Sequence, residues 1–205
     1  MARTGRPRRF DRDAALGSAM LVFWDLGYEA ASLAELQAAM GGISAASFYA
    51  AFGSKEALFR EAAERYVATH GQVTAPLNDP GLPPRTAVEG TLRASAAMQA
   101  DPSHPAGCLV VLAASACSVA NRHVQALLAA YRERNRTGFR ACVARAVAAG
   151  ELPGDTDVQG LATLFNTFLN GLSTQARDGV ALADLDAGVT AAMRVWDALA
   201  ATAPR

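Results

Sequence analysis

The 205-residue sequence lacks a hydrophobic run long enough to cross a membrane. A membrane-spanning helix needs about 18 or more consecutive apolar residues, whereas the most apolar stretch, residues 108–120, is shorter and reads as a buried helix. The arginine-rich N-terminus also has no apolar signal core. We therefore expect a cytoplasmic protein without a membrane partner.

Cysteine and histidine are scarce, with three of each. Cys108 and Cys117 would lie on opposite sides of one helix and could not form a disulfide, while Cys142 lies on another helix and could approach only one of them. We expect buried, reduced thiols. The histidines are dispersed without the spacing of metal ligands: His70, His104 and His123. The sequence therefore predicts neither a metal site nor a cofactor.

Common catalytic motifs are also missing. The chain has no nucleophile elbow, phosphate-binding loop, zinc-ligand pair or dinucleotide fingerprint. Acidic residues such as Glu133 and Asp155 are expected on solvent-facing surfaces or helix caps. We therefore predict that the protein is not an enzyme.

The composition favours an all-α fold. Apolar residues make up 51% of the chain, and alanine occurs in helix-forming runs with few β-branched stretches between them. Residues 10–68 have the layout of a three-helix helix-turn-helix domain. Ser32 and Glu35 form a capping-box pattern, Gly41 and Gly42 end that helix, and Ser44 can cap the next one.

The same segment resembles the N-terminal domain of the TetR/AcrR family of bacterial transcriptional repressors. The resemblance covers residues 14–27 and a set of scattered positions, and its most specific part is the Tyr-x-x-Phe-x-x-Lys-x-x-Leu run that begins at Tyr49. The matching positions are Tyr28, Ser32, Leu36, Gly41, Ser44, Phe48, Tyr49, Phe52, Lys55, Leu58 and Phe59. Most relatives have one glycine in the turn, so we expect the second one to tilt the recognition helix or delay its start.

The resemblance implies a dimeric, ligand-responsive repressor. The N-terminal domain would bind a palindromic operator in double-stranded DNA, and residues 69–205 would form a helical domain for effector binding and dimerisation. A small-molecule effector would release the DNA. The alternative is a helical small-molecule binding or interaction protein whose DNA reader is degenerate, because the recognition residues are small.

The recognition helix presents serine and alanine to the major groove, so direct base readout should be modest. Lys55 is predicted to contact phosphate, and Tyr49 either contacts phosphate or packs, whereas Phe48 and Phe52 are expected in the core. The predicted DNA-binding residues in this domain are Ser32, Ser44, Ala45, Ala46, Ser47, Tyr49 and Lys55.

The net charge is zero, but positive charge is concentrated at the N-terminus. Residues 1–9 are predicted to form a flexible basic arm in which Arg6, Arg8 and Arg9 reach the minor groove or the phosphates. The alternative is a solvated segment without a role.

Beyond the connector at residues 71–84, we predict helices at about residues 85–100, 108–119 and 121–149, followed by two final helices with broad apolar stripes. By the family resemblance, the final helices form the dimer surface; an intramolecular bundle is the alternative. The predicted interface residues are Leu161, Leu164, Phe165, Phe168, Leu172, Val189, Met193 and Trp196.

We expect the helices between the DNA-binding domain and the two final helices to bind the effector. Ligand cavities in helical bundles combine apolar and aromatic walls with a few polar groups. The alternative for each candidate is ordinary core packing. The predicted ligand-binding residues are Met98, Cys108, Leu112, Ser115, Tyr131, Asn135, Phe139, Phe165 and Phe168.

Overall fold

A computed structural model describes residues 11–115 and 117–203, and every regular element in these ranges is helical, which confirms the all-α prediction. The N-terminal half contains α1 (Arg12–Ala30), α2 (Leu33–Ala39), α3 (Ala45–Phe52) and α4 (Lys55–Ala68). A 3₁₀ helix (His70–Asn78) leads to α5 (Pro84–Gln99) and α6 (Leu109–Leu112), and a second one (Val119–Asn121) leads to α7 (Arg122–Ala148). The chain ends with α8 (Val158–Arg177) and α9 (Leu182–Ala200).

Side-chain caps set the starts of the first four helices. The Asp11 carboxylate accepts from two backbone N–H groups of α1, and Ser32 and Glu35 form a complete capping box at α2. Ser44 Oγ accepts from the Ser47 backbone N–H at 3.1 Å, and Ser54 caps α4 in the same way. The caps at α2 and α3 confirm the predictions for Ser32, Glu35 and Ser44.

The turn between α2 and α3 uses both of its glycines in the left-handed region. Gly41 and Gly42 have φ values of 90° and 75°, which only glycine adopts without strain. The Gly42 backbone N–H donates to the Gln37 carbonyl oxygen at 2.9 Å. Helix α3 then begins at Ala45, directly after its cap, so the second glycine is accommodated within the turn.

Two apolar clusters hold the chain together. The first joins α1–α4 to α6 and the start of α7 around fully buried aromatic side chains such as Phe23, Trp24 and Phe59. The second joins α5, α7, α8 and α9 around Phe139, Phe165 and other apolar residues. Because α6 and α7 pack against the N-terminal helices, the N-terminal and C-terminal parts of the chain share one of these cores.

The predicted helix at 108–119 is wrong, since α6 is a single turn. In a continuing α-helix the Ala113 carbonyl would accept from the N–H four residues later. Here it accepts from the Tyr28 backbone N–H at 2.7 Å, next to the kink at Gly27. A contact with α1 therefore replaces the local helix. Cys108 and Cys117 therefore do not lie on opposite sides of one helix. All three cysteines are free thiols.

Candidate nucleic-acid interface and effector cavity

The outer face of α3 is small, uncharged and open to solvent. Ser44, Ala45, Ala46 and Ser47 are all exposed, and Ser44 Oγ donates to Ser47 Oγ at 3.0 Å. Tyr49 is 52% exposed, with its ring against that of Phe48. Phe48 and Phe52 are buried, which confirms their prediction as core residues.

Lys55 lies at the start of α4, beside this face. Its Nζ is 4.6 Å from the centre of the Tyr28 ring. Partial burial lowers the Lys55 pKa, and the nearby Glu29 and Glu35 oppose that shift. The ammonium group is therefore held in place by an aromatic face rather than by a carboxylate. Ser32 is committed to its cap, where its Oγ accepts from the Glu35 backbone N–H at 3.1 Å.

The basic arm with Arg6, Arg8 and Arg9 lies outside the described residues. Arg12, the first arginine that the structure describes, already interacts with side chains of its own chain. Its guanidinium pairs with Glu61 at 2.7 Å and lies 4.5 Å from the centre of the Phe52 ring.

A cavity of ≈ 80 Å³ opens where the C-terminal end of α4 meets the 3₁₀ helix, α5, α6, α7 and α8. Its wall combines aliphatic side chains with amides, hydroxyls and one guanidinium. The lining residues are Tyr66, Val67, Gly71, Val73, Thr74, Asn78, Ser95, Met98, Gln99, Cys108, Val110, Val111, Tyr131, Arg134, Asn135, Leu169, Asn170 and Ser173.

The structure brings some of the predicted ligand residues to this cavity and leaves others elsewhere. Met98, Cys108, Tyr131 and Asn135 line it. The prediction needs correction for Phe139 and Phe165, which are fully buried in the second core, and for Phe168, which lies against Gly188 of α9. Leu112, the last residue of α6, and Ser115, which lies beyond its end, are not in the wall either.

Sequence reasoning missed most of the polar wall. Ser95 and Gln99 lie one turn apart on the buried side of α5, and polar residues at an otherwise apolar helical face are the one signal that could have found them. Ser173 Oγ donates to Gln99 Oε1 at 2.7 Å. The Tyr66 hydroxyl donates to Cys108 Sγ at 3.3 Å, and burial raises the pKa of both groups, so the phenol and the thiol stay protonated.

The junction between the N-terminal helices and the C-terminal part contains a buried aromatic cluster. Trp24 Nε1–H donates to the Gly107 carbonyl oxygen at 3.1 Å, and the Trp24 ring stacks on His104 with centroids 4.4 Å apart. His70 packs edge-on against both rings. These two histidines, separate in sequence, are therefore neighbours in the fold. On α8, Arg177 donates to the Trp24 carbonyl oxygen at 2.8 Å.

The predicted dimer surface needs correction. Most of its residues are buried within their own chain and leave little surface for a second copy: Leu161, Phe165, Leu172, Val189, Met193 and Trp196. Leu164 is 43% exposed and Phe168 is partly exposed. The outer face of α8 and α9 that remains open consists of Leu164, Phe168, Gly171, Gly188 and Val195, and we call it the outer α8/α9 face.

No helix within the described ranges is long and apolar enough to span a membrane. The arrangement is that of a two-part helical DNA-binding regulator, with a capped recognition helix at one end and a polar-lined cavity at the other. Residues 15–62 match the family model for bacterial regulatory proteins of the tetR family, and residues 86–196 match the tetracyclin repressor-like C-terminal domain. The chain belongs to the TetR family of bacterial transcription regulators.

Individual relatives agree with this assignment. The chain is 34% identical to the HTH-type transcriptional repressor ComR of Escherichia coli, over 95% of this chain and 93% of ComR. It is 30% identical to the repressor BdcR of Escherichia coli, over 92% and 89% of the two chains. A cysteine mutant of the regulator CifR, solved with 26-bp double-strand operator DNA, is 46% identical with a TM-score of 0.86, over 94% of this chain and 100% of CifR.

These findings confirm the predicted family, fold class and DNA-binding regulatory function. The predicted partners, namely double-stranded DNA, a second copy of the chain and a small-molecule effector, are those of the family.

Proposed function

We propose that this chain is a homodimeric repressor that binds a palindromic operator and releases it when a small molecule occupies the cavity. One observation carries the proposal. Helix α4 begins with Lys55 beside the recognition helix and ends with Tyr66 and Val67 in the cavity wall. A single rigid element therefore connects the DNA-facing surface to the space available for an effector.

The DNA contacts divide into base readout and phosphate binding. Ser44, Ala45, Ala46 and Ser47 have no charged or bidentate group, so they discriminate through serine hydroxyls and through alanine contacts with thymine methyl groups. Tyr49 and Lys55 contact phosphates, as do Arg6, Arg8 and Arg9 in the arm, while Ser32 holds the helix start in register. Specificity then depends strongly on DNA shape and on reading two half-sites.

The second half-site requires a second copy of the chain. The outer α8/α9 face offers Leu164 and Val195, 43% and 41% exposed, around small residues that let helices approach closely. Two-fold pairing of α8 and α9 gives a four-helix bundle with an isologous interface. Such a dimer presents two recognition helices to half-sites about one DNA turn apart.

Effector binding acts through the position of α4. Tyr66 and Val67 contact the cavity, so a ligand that fits only one position of α4 shifts the equilibrium toward that position. A changed spacing of the two recognition helices lowers operator affinity, and the same coupling makes operator binding weaken effector binding.

Selection of bound fragments from the source genome tests this function. We expect a palindromic sequence to be enriched, and a purified fragment carrying it to bind with higher affinity than a scrambled fragment at the same salt concentration. Enrichment of no sequence would favour the alternative of a helical binding protein with a degenerate reader. Equal operator affinity with and without a bound effector would contradict the proposed release mechanism.

We also propose that the chain has no enzymatic activity and acts in the cytoplasm, where its DNA lies. The relatives named above are transcription regulators, which supports the first proposal. Incubation of the protein with ligands that bind the cavity, followed by mass spectrometry of the recovered ligands, should return them unchanged.

A further inference from the structure

The cavity wall has an uneven distribution of charge. Arg134 is its one charged lining residue, and no carboxylate lines it within the described part of the chain. The Arg134 guanidinium lies 5.3 Å from the centre of the Tyr131 ring, while the neighbouring Glu133 pairs with Arg136 at 3.2 Å. Arg134 makes no ion pair with any carboxylate that the structure describes. The wall therefore disfavours a cationic ligand and leaves one guanidinium available for an anion.

A second guanidinium lies behind the wall and adds to the positive potential. Arg132 Nη1 donates to the Val110 carbonyl oxygen at 2.6 Å, close to Cys108. Among acidic groups on the packed elements, Glu64 of α4 is near Tyr131, where Arg60 offsets its charge. The local balance at the α7 side of the cavity thus favours a negatively charged group.

Deeper in the cavity, Ser95 lacks a hydrogen-bond partner. Ser95 is one of the lining residues, it is 1% exposed, and its buried Oγ has no hydrogen-bond partner among the described residues. A buried hydroxyl without a partner is destabilising, and native proteins rarely leave one unsatisfied. An oxygen acceptor on a bound molecule would supply the missing bond.

The wall also has apolar surface beside its polar groups. Val67, Val73, Met98, Val111 and Leu169 provide aliphatic or thioether surface. The cavity is small, with a volume of ≈ 80 Å³. A fitting molecule is therefore short and combines polar groups with an apolar chain.

We propose that the effector is a short organic carboxylate that carries a second oxygen acceptor on its chain, as in an oxocarboxylate. The carboxylate pairs with Arg134 at the α7 side, and the second oxygen accepts from Ser95 Oγ. This inference rests on the proposed function, because that function makes the cavity an effector site.

Calorimetry on the full chain without DNA tests the ligand class. The probes are 4-oxopentanoate, 5-oxohexanoate and 6-oxoheptanoate, compared with hexanoate and with the neutral ketone 2-hexanone at pH 7, where carboxylates are ionised. We expect at least one oxocarboxylate to bind about tenfold or more tightly than both comparison compounds. Equal binding of the ketone, or no oxocarboxylate binding below about 1 mM, would overturn the proposal.

Paired variants locate the two polar contacts. Arg134→Gln should abolish the preference for the oxocarboxylate over the ketone, whereas Arg140→Gln, an exposed arginine on the same helix without an ion pair in the described structure, should keep it. Ser95→Ala should abolish the preference for the oxocarboxylate over hexanoate. Thr91→Val is its matched control, because Thr91 Oγ1 is also buried and unpartnered but does not line the cavity. Loss of either preference in a control variant, or its persistence in the matching test variant, would contradict the assignment.

Operator binding separates this inference from the function on which it rests. An oxocarboxylate that binds as described but leaves operator affinity unchanged would refute release by this ligand and leave the site assignment intact. An operator that is recognised while the ketone binds as well as the oxocarboxylate would overturn the ligand class and leave the DNA-binding function intact.

Discussion

At the scale of single residues, Lys55 gives the clearest prediction about DNA binding, because it is the chain's one lysine and lies beside the recognition helix. Lys55→Gln removes one phosphate contact. Operator affinity should therefore fall by a similar factor on all DNA sequences, and the slope of log affinity against log salt should become shallower by about one. Fluorescence anisotropy across a salt series measures both quantities.

Arg140→Gln is the control for Lys55→Gln, since it removes the same charge from an exposed position on α7. It should leave the salt slope unchanged. If Lys55→Gln instead alters base preference, Lys55 reads sequence and its assignment to a phosphate is wrong.

His70 gives the protein a pH-dependent stability. Burial lowers its pKa, repulsion by His104 adds to that effect, and Asp101 opposes it. The unfolded chain therefore takes up the His70 proton at a higher pH than the folded protein does. As the pH falls through about 6.5, the ordinary value for histidine, the free energy of unfolding should decrease, and the loss should end below the folded-state pKa.

Urea unfolding between pH 8 and pH 5 tests the His70 prediction. His70→Gln should show a smaller decrease in the free energy of unfolding over this range, because the variant has no imidazole to protonate at that position. An unchanged decrease would mean that other groups cause the acid-side loss.

At the scale of elements, the glycine turn before α3 tests backbone conformation separately from packing. Gly42 has a φ of 75°, and an added Cβ would meet no atom within 4 Å. Gly42→Ala should therefore destabilise the protein by about 1 kcal/mol through backbone strain alone. Urea denaturation measures the change.

Gly90 is the matched control for Gly42. An added Cβ at Gly90 also meets no atom within 4 Å, but this residue lies inside α5 and has no left-handed φ. Gly90→Ala should thus stabilise the protein by about 0.5–1 kcal/mol. The same sign for both substitutions would contradict a conformational origin.

The elements also mark what the sequence alone could predict. Caps and turns depend on neighbouring residues, so Ser32, Glu35 and Ser44 located α2 and α3 correctly. The end of α6 depends on Tyr28, which is distant in sequence and whose backbone N–H donates to the Ala113 carbonyl oxygen. No local sequence pattern could predict that contact.

The candidate sites divide in the same way. The exposed face of α3 follows from helical spacing, but the cavity collects side chains from six elements, and spacing within one element cannot identify such a set. The broad apolar stripes of α8 and α9 indicated that these helix faces are buried. They did not indicate whether the faces pack within the chain or against a second copy. Trp196 and Phe165 pack within their own chain, so they are not available to the outer α8/α9 face.

At the scale of the whole molecule, function requires two copies of the chain, and the outer α8/α9 face is the proposed contact between them. Leu164→Arg places a charge on this face in both copies, so an isologous interface would have to bury two unpaired guanidinium groups. We expect sedimentation velocity to find a monomer in place of the dimer. Operator affinity should then fall by about 10²–10⁴, because the two half-sites are no longer bound by one linked particle.

Leu26 provides a matched control for Leu164. It has the same 43% exposure, but it lies on α1 and is not part of the outer α8/α9 face. Leu26→Arg should leave the dimer intact, so dissociation specific to Leu164→Arg reports on the outer face and not on general damage from a surface arginine. If Leu164→Arg stays dimeric at the same protein concentration while a change elsewhere dissociates the protein, the copies meet through another surface.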